Sequence, residues 1–82
     1  MVETLPSLAS LSPGTRAVVA EIQLPPAEAR RLMELGLVPG TPVELVRFAL
    51  LRDPVEIKVR GSCLSLPRQE AEAIRVRLPD GT

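Results

Sequence analysis

The order of apolar and polar positions predicts about five short β-strands and one longer helix. Residues 54–60 alternate most cleanly, with Val55, Ile57 and Val59 on one face and charged side chains between them. Weaker β patterns predict the other strands, at residues 15–22, 41–47, 63–66 and 74–78. Half-buried strands of this length are typical of a small closed β-barrel. We therefore expect a mainly β fold.

Residues 26–35 predict an α-helix inserted after the first strand, because Pro26 suits the first helical position, where no N–H is needed. The expected apolar stripe of this helix consists of Ala29, Leu32, Met33 and Leu35. Its expected ion pairs are Glu28 with Arg31 and Arg30 with Glu34. A short helical turn near the C-terminus is expected at residues 67–73, opened by Pro67.

The segment between the long helix and the next strand carries two separate turn signals. Gly36 stands where a helix needs a left-handed residue after its last turn, and Leu37 is then spaced to contact Leu32 in a Schellman motif. Pro39 and Gly40 follow at the two centre positions of an expected type II turn. The corner from helix to strand is therefore specified twice.

Further details of the strands follow from single residues. Imperfect alternation in the first strand predicts a β-bulge that lets Val19 and Ile22 both face inward. Pro42 indicates an edge strand or an unpaired N–H position. Gly61 and Ser62 predict a two-residue hairpin turn. In the last two strands, the residues expected to face inward are Leu64, Leu66, Ile74, Val76 and Leu78.

Residues 1–13 form a lead-in segment, in which Leu5, Leu8 and Leu11 recur every three residues and could cover one edge of the domain. Residues 1–82 are expected to form one domain, because a chain of this length is too short to build two cores.

Composition narrows the classes of partner and compartment. The chain carries ten basic and ten acidic side chains, and its zero net charge argues against a nucleic-acid-binding surface. The single cysteine, Cys63, excludes an internal disulfide bond and fits a reducing compartment. No apolar stretch approaches the roughly 20 residues of a membrane span, and no signal peptide is visible. We expect a cytoplasmic protein that does not insert into a membrane.

Candidate catalytic and metal-binding groups are few. The chain has no histidine, the commonest general base and the commonest metal ligand. Cys63 therefore lacks an activating base, and a lone cysteine cannot form a zinc site. Neither glycine-rich nucleotide-binding motif is present. From the sequence we expect no enzymatic activity, no catalytic residue, no cofactor and no metal site.

The alternation breaks at residues 48–52, FALLR, where several apolar residues run together in an expected loop. Loops are usually polar, so Phe48, Leu50 and Leu51 need an explanation. In one interpretation they fold over the barrel and complete a core that has a single aromatic residue. In the other they form, with Arg52, a contact surface for another protein or for a second copy of the chain. Both interpretations stay open at this point.

Four segments resemble, in order and spacing, the ferrous iron transport protein A (FeoA) family. These segments are Leu8-x-x-Leu11-x-x-Gly14, RRLMELGLVPGTPVELV from residue 30, DPVEIKVRGSCLSL from residue 53 and EAEAIRV from residue 70. The resemblance implies an SH3-like small β-barrel in a bacterial cytoplasm. It also implies a non-enzymatic accessory protein of ferrous iron uptake. Such a protein binds and modulates the cytoplasmic part of the iron-transporting membrane GTPase (FeoB type), and reaches the inner membrane through that partner.

Two positions depart from the family pattern. Many members have glycine before the Asp-Pro pair, where this chain has Arg52, and arginine after Leu-Ser-Leu, where it has Pro67. The first departure makes the loop bulkier. Two alternatives to transporter binding stay open: a regulatory module that acts with an iron-dependent transcription repressor, and a self-assembling module that forms a homo-oligomer through residues 48–52.

Overall fold

The computed structural model describes residues 5–79, which form a mainly β fold. The strands are β1 (Arg16–Ile22), β2 (Pro42–Phe48), β3 (Val55–Val59), β4 (Ser62–Leu66) and β5 (Ile74–Arg77). The helices are α1 (Pro26–Glu34) and α2 (Arg68–Glu72), with 3₁₀ turns at Leu8–Ser10 and Leu50–Arg52. The predicted five strands, the helix after the first strand and the short helix before the last strand are confirmed.

All five strands form one antiparallel sheet in the order β4-β3-β2-β1-β5. β2 pairs with both β1 and β3, so it is an interior strand. The edge position considered for Pro42 is therefore wrong. Pro42 is instead the first residue of β2, where a missing N–H is tolerated.

The core is aliphatic and is built from alternate residues of the strands. In β3, Val55, Ile57 and Val59 are buried while Lys58 between them is exposed, as predicted. Each buried Val, Leu or Ile side chain contributes about 1.5–3 kcal/mol through the hydrophobic effect. The other buried strand residues are Ala17, Val19, Val43, Leu45, Leu66, Ile74 and Val76.

Two register shifts bend the sheet locally. The shift in β1 lies between Val19 and Glu21, where the bulge was predicted. Val19 is buried there, and Ile22 packs half-buried against the core. A second shift lies in β2 between Leu45 and Arg47 and was not predicted. It changes the alternation just before β2 ends and sets the side chain of Arg47 opposite Glu56.

The chain leaves α1 through the predicted Schellman motif. The N–H of Gly36 donates to the carbonyl oxygen of Met33 (2.9 Å), and the N–H of Leu37 donates to that of Leu32 (3.1 Å). Gly36 has a φ of 105°, a left-handed conformation that glycine adopts without steric penalty. Leu32 and Leu37 are both fully buried and supply the apolar contact of the motif.

The predicted type II turn follows directly. The N–H of Thr41 donates to the carbonyl oxygen of Val38 (3.0 Å), and Gly40 takes a φ of 92°. The turn is also tied to β1, because the N–H of Gly40 donates to Val19 (2.7 Å) and the N–H of Val19 donates to Thr41 (2.9 Å). The corner is thus fixed by its own turns and by the neighbouring strand.

α1 covers the core with a narrower face than predicted. Ala29 and Leu32 are buried, but Met33 and Leu35 are 40% and 44% exposed. The assignment of Met33 and Leu35 to the buried stripe was therefore wrong. The period of the helix places these residues near the stripe, but burial on α1 is confined to Ala29 and Leu32.

The polar face of α1 also differs from the prediction. Arg31 donates through Nη2 to Oε2 of Glu70 on α2, and not to Glu28 within its own helix. Neither intrahelical pair occurs among the ion pairs of residues 5–79. The carboxylate of Glu70 is the less exposed partner, and a largely buried carboxylate needs a cationic partner more than a solvated one does.

Two details near the C-terminal strands also differ. The β3–β4 turn consists of Arg60 and Gly61, whose φ angles are 52° and 79°, because Val59 pairs with Ser62. Two positive φ angles are typical of a type I′ hairpin turn, which lies one residue earlier than predicted. Leu78 was expected to face inward, but it lies beyond the end of β5 and is 37% exposed.

The described part of the lead-in segment covers the free edge of β5. Leu8 and Leu11 are buried, and the N–H of Val76 donates to the carbonyl oxygen of Pro6 (3.0 Å). Residues 1–4 of the predicted segment lie outside the described residues. Within residues 5–79, no helix combines the length and the apolar character needed to cross a membrane.

Replacing Gly36 by alanine tests how strongly the corner stabilises the fold. A Cβ at this position would stand 3.3 Å from Cδ of Arg60, and the left-handed backbone costs a residue with a Cβ about 1–2 kcal/mol. We expect Gly36→Ala to lower the free energy of unfolding in urea by about that amount. Gly36→Asn is the matched control and should cost less, because asparagine tolerates this conformation. Equal stability of Gly36→Ala and the wild type would contradict the role given to Gly36.

Candidate protein-contact site

The β2–β3 loop, residues 49–54, presents two leucines to solvent. Leu50 and Leu51 are 86% and 85% exposed, about twice as exposed as any other large apolar side chain among residues 5–79. The interpretation that these leucines complete the core is therefore wrong. Adjacent exposed leucines are unusual on a small domain, and apolar patches of this kind are typical of contact surfaces.

Phe48 joins the loop to the body of the domain. It is the last residue of β2, is half-buried and packs against the core. The guanidinium carbon of Arg52 lies over its ring, 4.4 Å from the ring centre, within the range of a cation–π interaction. Phe48 therefore completes the core in part, as one interpretation predicted. It also holds Arg52 at the base of the leucine tip, our name for Leu50 and Leu51.

The backbone of the loop is left-handed at two residues that are not glycine. The φ angles of Leu51 and Arg52 are 60° and 64°. Hydrogen bonds hold this conformation: the N–H of Arg52 donates to Ala49 (2.9 Å), and the N–H of Ala49 donates to Pro54 (2.9 Å). A left-handed residue with a Cβ costs about 1–2 kcal/mol. Glycine, which the family resemblance leads one to expect at the position of Arg52, would adopt this conformation without that cost.

An ion pair supports the base of the loop on the outer face of the sheet. Nε of Arg47 donates to Oε1 of Glu56 (2.9 Å), and Nη2 donates to Oε2 (3.2 Å). This two-pronged hydrogen bond lowers the pKa of Glu56 below its ordinary value, against a smaller opposing effect of burial. The same hydrogen bond raises the pKa of Arg47. Both groups therefore stay charged, and their two hydrogen bonds connect the end of β2 to β3.

α2 stands beside the loop and is connected to it through Asp53. Oδ1 of Asp53 accepts a hydrogen bond from the backbone N–H of Arg68 (3.0 Å), the first residue of α2. The side chain of Arg68 pairs with Glu72 one turn later (3.0 Å). The loop is thus attached to the body on one side by Phe48 and on the other by α2.

Groups that could carry chemistry are sparse in the described part of the chain. Cys63 is exposed on β4, as expected from the alternation of that strand. Within residues 5–79, no three Cys, Asp or Glu side chains gather into a group that could hold a metal ion. The exposed loop with Phe48, Leu50, Leu51 and Arg52 is the candidate contact surface.

Comparison with known proteins places this architecture in a defined class. A crystal structure of Stenotrophomonas maltophilia FeoA complexed with zinc has a TM-score of 0.74 and 34% sequence identity, and the match covers 85% of this chain and 87% of that one. That protein is described as a prokaryotic SH3 domain protein possibly acting as a ferrous iron transport activating factor. The present chain is therefore an SH3-like small β domain.

The family follows from the sequence match. The FeoA domain model matches residues 7–78, and the chain belongs to the FeoA family. The solution structure of FeoA from Chlorobium tepidum has a TM-score of 0.86 and 43% identity, and the match covers 93% of this chain and 72% of that one.

One curated relative joins this domain to a transporter. A Porphyromonas gingivalis protein described as a fusion of Fe(2+) transport protein A and the Fe(2+) transporter FeoB is 34% identical over 71 residues. The match covers 87% of this chain but only 8% of the length of that protein. The present chain thus corresponds to one small domain of the fusion.

Sequence reasoning singled out the residues of the candidate contact surface but missed two features of the loop. The left-handed conformation of Leu51 and Arg52 carries no signal, because leucine and arginine both prefer other conformations. The sequence also gives no sign that Arg68 lies near the loop. Arg68 is sixteen positions along the chain from Arg52, and its proximity depends on how α2 packs. The departure at Arg52 from the glycine of the family pattern predicted only a bulkier loop, although glycine at that position is itself a signal for a left-handed backbone.

The ion pair at the base of the loop predicts a pH effect. Glu56 titrates in the folded state at a lowered pKa, so its stabilising contribution is present above the pKa of an unfolded glutamate, about 4.3. The contribution is lost as pH falls through the lower folded value. NMR titration should place the pKa of Glu56 below the ordinary value in the wild type and closer to it in Arg47→Gln. Arg30→Gln is the charge-matched control and should leave it unchanged. An unaltered pKa in Arg47→Gln would contradict the pairing.

Exposure of the leucine tip predicts that the fold does not depend on it. We expect the double variant Leu50→Ser, Leu51→Ser to keep its free energy of unfolding within about 0.5 kcal/mol of the wild type, as is usual for surface substitutions. Phe48→Ala should lower it by about 2 kcal/mol, because Phe48 packs against the core. Urea denaturation measures both. A large loss of stability in the double serine variant would return the leucines to the core.

Proposed function

We propose that this protein is a non-enzymatic accessory module of ferrous iron uptake. In this proposal it binds the cytoplasmic part of a FeoB-type transporter GTPase and modulates it. The fusion of a related domain to FeoB in one Porphyromonas gingivalis chain is the observation that carries the proposal. Domains that are joined in one protein and separate in another commonly act on each other. The protein then works in the cytoplasm and reaches the inner membrane through its partner.

The β2–β3 loop is the surface that we assign to this contact. Leu50 and Leu51 are the most exposed large apolar side chains of the described residues. Burying a leucine side chain at an interface is favourable by about 1.5–3 kcal/mol, and interfaces concentrate their energy in a few such anchors. Arg52, held over Phe48, adds a positively charged group beside the anchors.

In this proposal the chain modulates the transporter by binding alone and catalyses no reaction. A bound module alters a partner by favouring one of its conformations, and the size of the effect is the difference in affinity for the two conformations. The loop geometry suits this role, because a tip fixed by its own hydrogen bonds loses little conformational entropy on binding. Action on an iron-dependent repressor and self-assembly through the loop stay alternative predictions.

Binding to the soluble cytoplasmic part of a FeoB-type transporter from the same organism tests the proposal. We expect isothermal titration calorimetry to show binding by the wild type and at least tenfold weaker binding by Leu50→Ser, Leu51→Ser, since 1.4 kcal/mol corresponds to tenfold. The matched control is Met33→Ser, Leu78→Ser, which removes two exposed apolar side chains outside the loop and should bind like the wild type.

Three other outcomes would count against the proposal. No binding by a folded wild type would remove the transporter as partner. Equal weakening by both double variants would mean that the loop is not the specific contact surface. Concentration-dependent association of the wild type in sedimentation experiments, abolished by Leu50→Ser, Leu51→Ser, would favour the homo-oligomer instead.

A further inference from the structure

A cavity of about 170 Å³ opens next to the leucine tip, between the lead-in segment, the β2–β3 loop and α2. We call it the arginine cavity. Two arginines from different elements line it, Arg52 and Arg68. The rest of the lining consists of Ser7, Ala9, Ser10, Phe48 and Glu72.

The charge of the lining is unbalanced. Arg68 is paired with Glu72 (3.0 Å), whereas Arg52 makes no ion pair with any carboxylate among residues 5–79. Two guanidinium groups and one carboxylate leave the lining with one positive charge. Asp53 lies nearby but does not line the cavity, and its Oδ1 accepts the backbone N–H of Arg68. One singly charged anion would therefore balance the cavity.

The donors are held in place before any ligand enters. The contact with the ring of Phe48 positions the guanidinium of Arg52, and the contact with Glu72 positions that of Arg68. The hydroxyl of Ser10 donates to the carbonyl oxygen of Ser7 (2.7 Å), so its remaining capacity is as an acceptor. Planar guanidinium groups match a carboxylate with two parallel hydrogen bonds.

We infer that the arginine cavity binds a carboxylate, supplied by an acidic side chain of the protein segment that Leu50 and Leu51 contact. This inference rests on the proposed function for the source of the carboxylate. It adds a description of the partner's surface, which should have an apolar depression for the leucine tip and a glutamate or aspartate beside that depression. A phosphate group, with close to two negative charges, overcompensates the single charge of the lining.

The first experiment needs no partner. Isotope-labelled wild-type protein is titrated with butyrate, which has the carboxylate and alkyl stem of a glutamate side chain, while NMR follows the arginine Nε–H signals. We expect saturable shifts for Arg52 and Arg68. The Nε–H signal of Arg30, an exposed arginine on α1, should move only as much as in sodium chloride of equal ionic strength.

Two results of this titration would overturn the inference. Unsaturated shifts common to all three arginines would show general screening of charge and no site. Saturable shifts with inorganic phosphate but none with butyrate would show that the cavity selects a different anion. Saturation by butyrate with weaker or absent saturation by phosphate supports the carboxylate site.

The second experiment asks whether the partner uses the cavity. Arg52→Gln and Arg30→Gln each remove one positive charge, so they alter the overall attraction equally. We expect calorimetry with the soluble part of the transporter to show about tenfold weaker binding by Arg52→Gln, the loss typical of a charge-assisted hydrogen bond, and no change for Arg30→Gln. Urea denaturation of both variants confirms that they are folded.

The two experiments separate the failure of the inference from that of the proposed function. If the wild type binds and Arg52→Gln binds as tightly as Arg30→Gln, the carboxylate contact is wrong while the transporter remains the partner. If the wild type does not bind the transporter, the proposed function fails, the transporter is excluded as the source of the carboxylate, and the butyrate titration alone decides whether the cavity is a carboxylate site.

Discussion

The corner between α1 and β2 is the constraint on which the rest of the fold depends. β2 is the middle strand of the sheet, so the direction in which the chain enters it sets the positions of β1 and β3 on either side. Gly36 ends the helix, and the turn at Val38–Thr41 redirects the chain within a few residues. Hydrogen bonds from this turn to Val19 then align β1. The apolar contacts of an aliphatic core are non-directional, so the direction of the chain at this corner is set by these hydrogen bonds and by the strand pairing.

The sequence predicted local structure correctly where a residue type strongly favours one conformation or where the alternation of apolar and polar residues is strict. The contact between Leu32 and Leu37 followed from the position of Gly36, and the buried face of β3 followed from strict alternation. Met33 was wrongly assigned to the buried stripe of α1. The helical period shows which residues share a face of the helix, but it does not show how much of that face is buried. The hairpin turn was displaced by one residue because Arg60 takes a left-handed conformation that its side chain does not favour.

The β2–β3 loop shows a different limit of sequence reasoning. The apolar run at residues 48–52 was recognisable as unusual, but burial depends on the direction in which each side chain leaves the backbone. Phe48 continues the pattern of β2 and turns inward, whereas the left-handed backbone at Leu51 accompanies a tip that points to solvent. The core interpretation therefore holds in part for Phe48 and fails for Leu50 and Leu51, whose role as a contact surface stays a prediction. The arginine cavity was unpredictable, since Arg52 and Arg68 meet only through the packing of α2.

The conformation of the loop is informative because it lowers the stability of the free protein. Domains of this size have a free energy of unfolding of only about 5–15 kcal/mol, and each left-handed residue with a Cβ costs about 1–2 kcal/mol. Leu51 and Arg52 both carry this cost, while Leu50 and Leu51 add nothing to the core. Strained backbone that does not support packing is concentrated at functional sites. If the loop makes the proposed contact, a tip already fixed in the free protein loses little conformational entropy on binding, and this is the physical argument for assigning the contact to the loop.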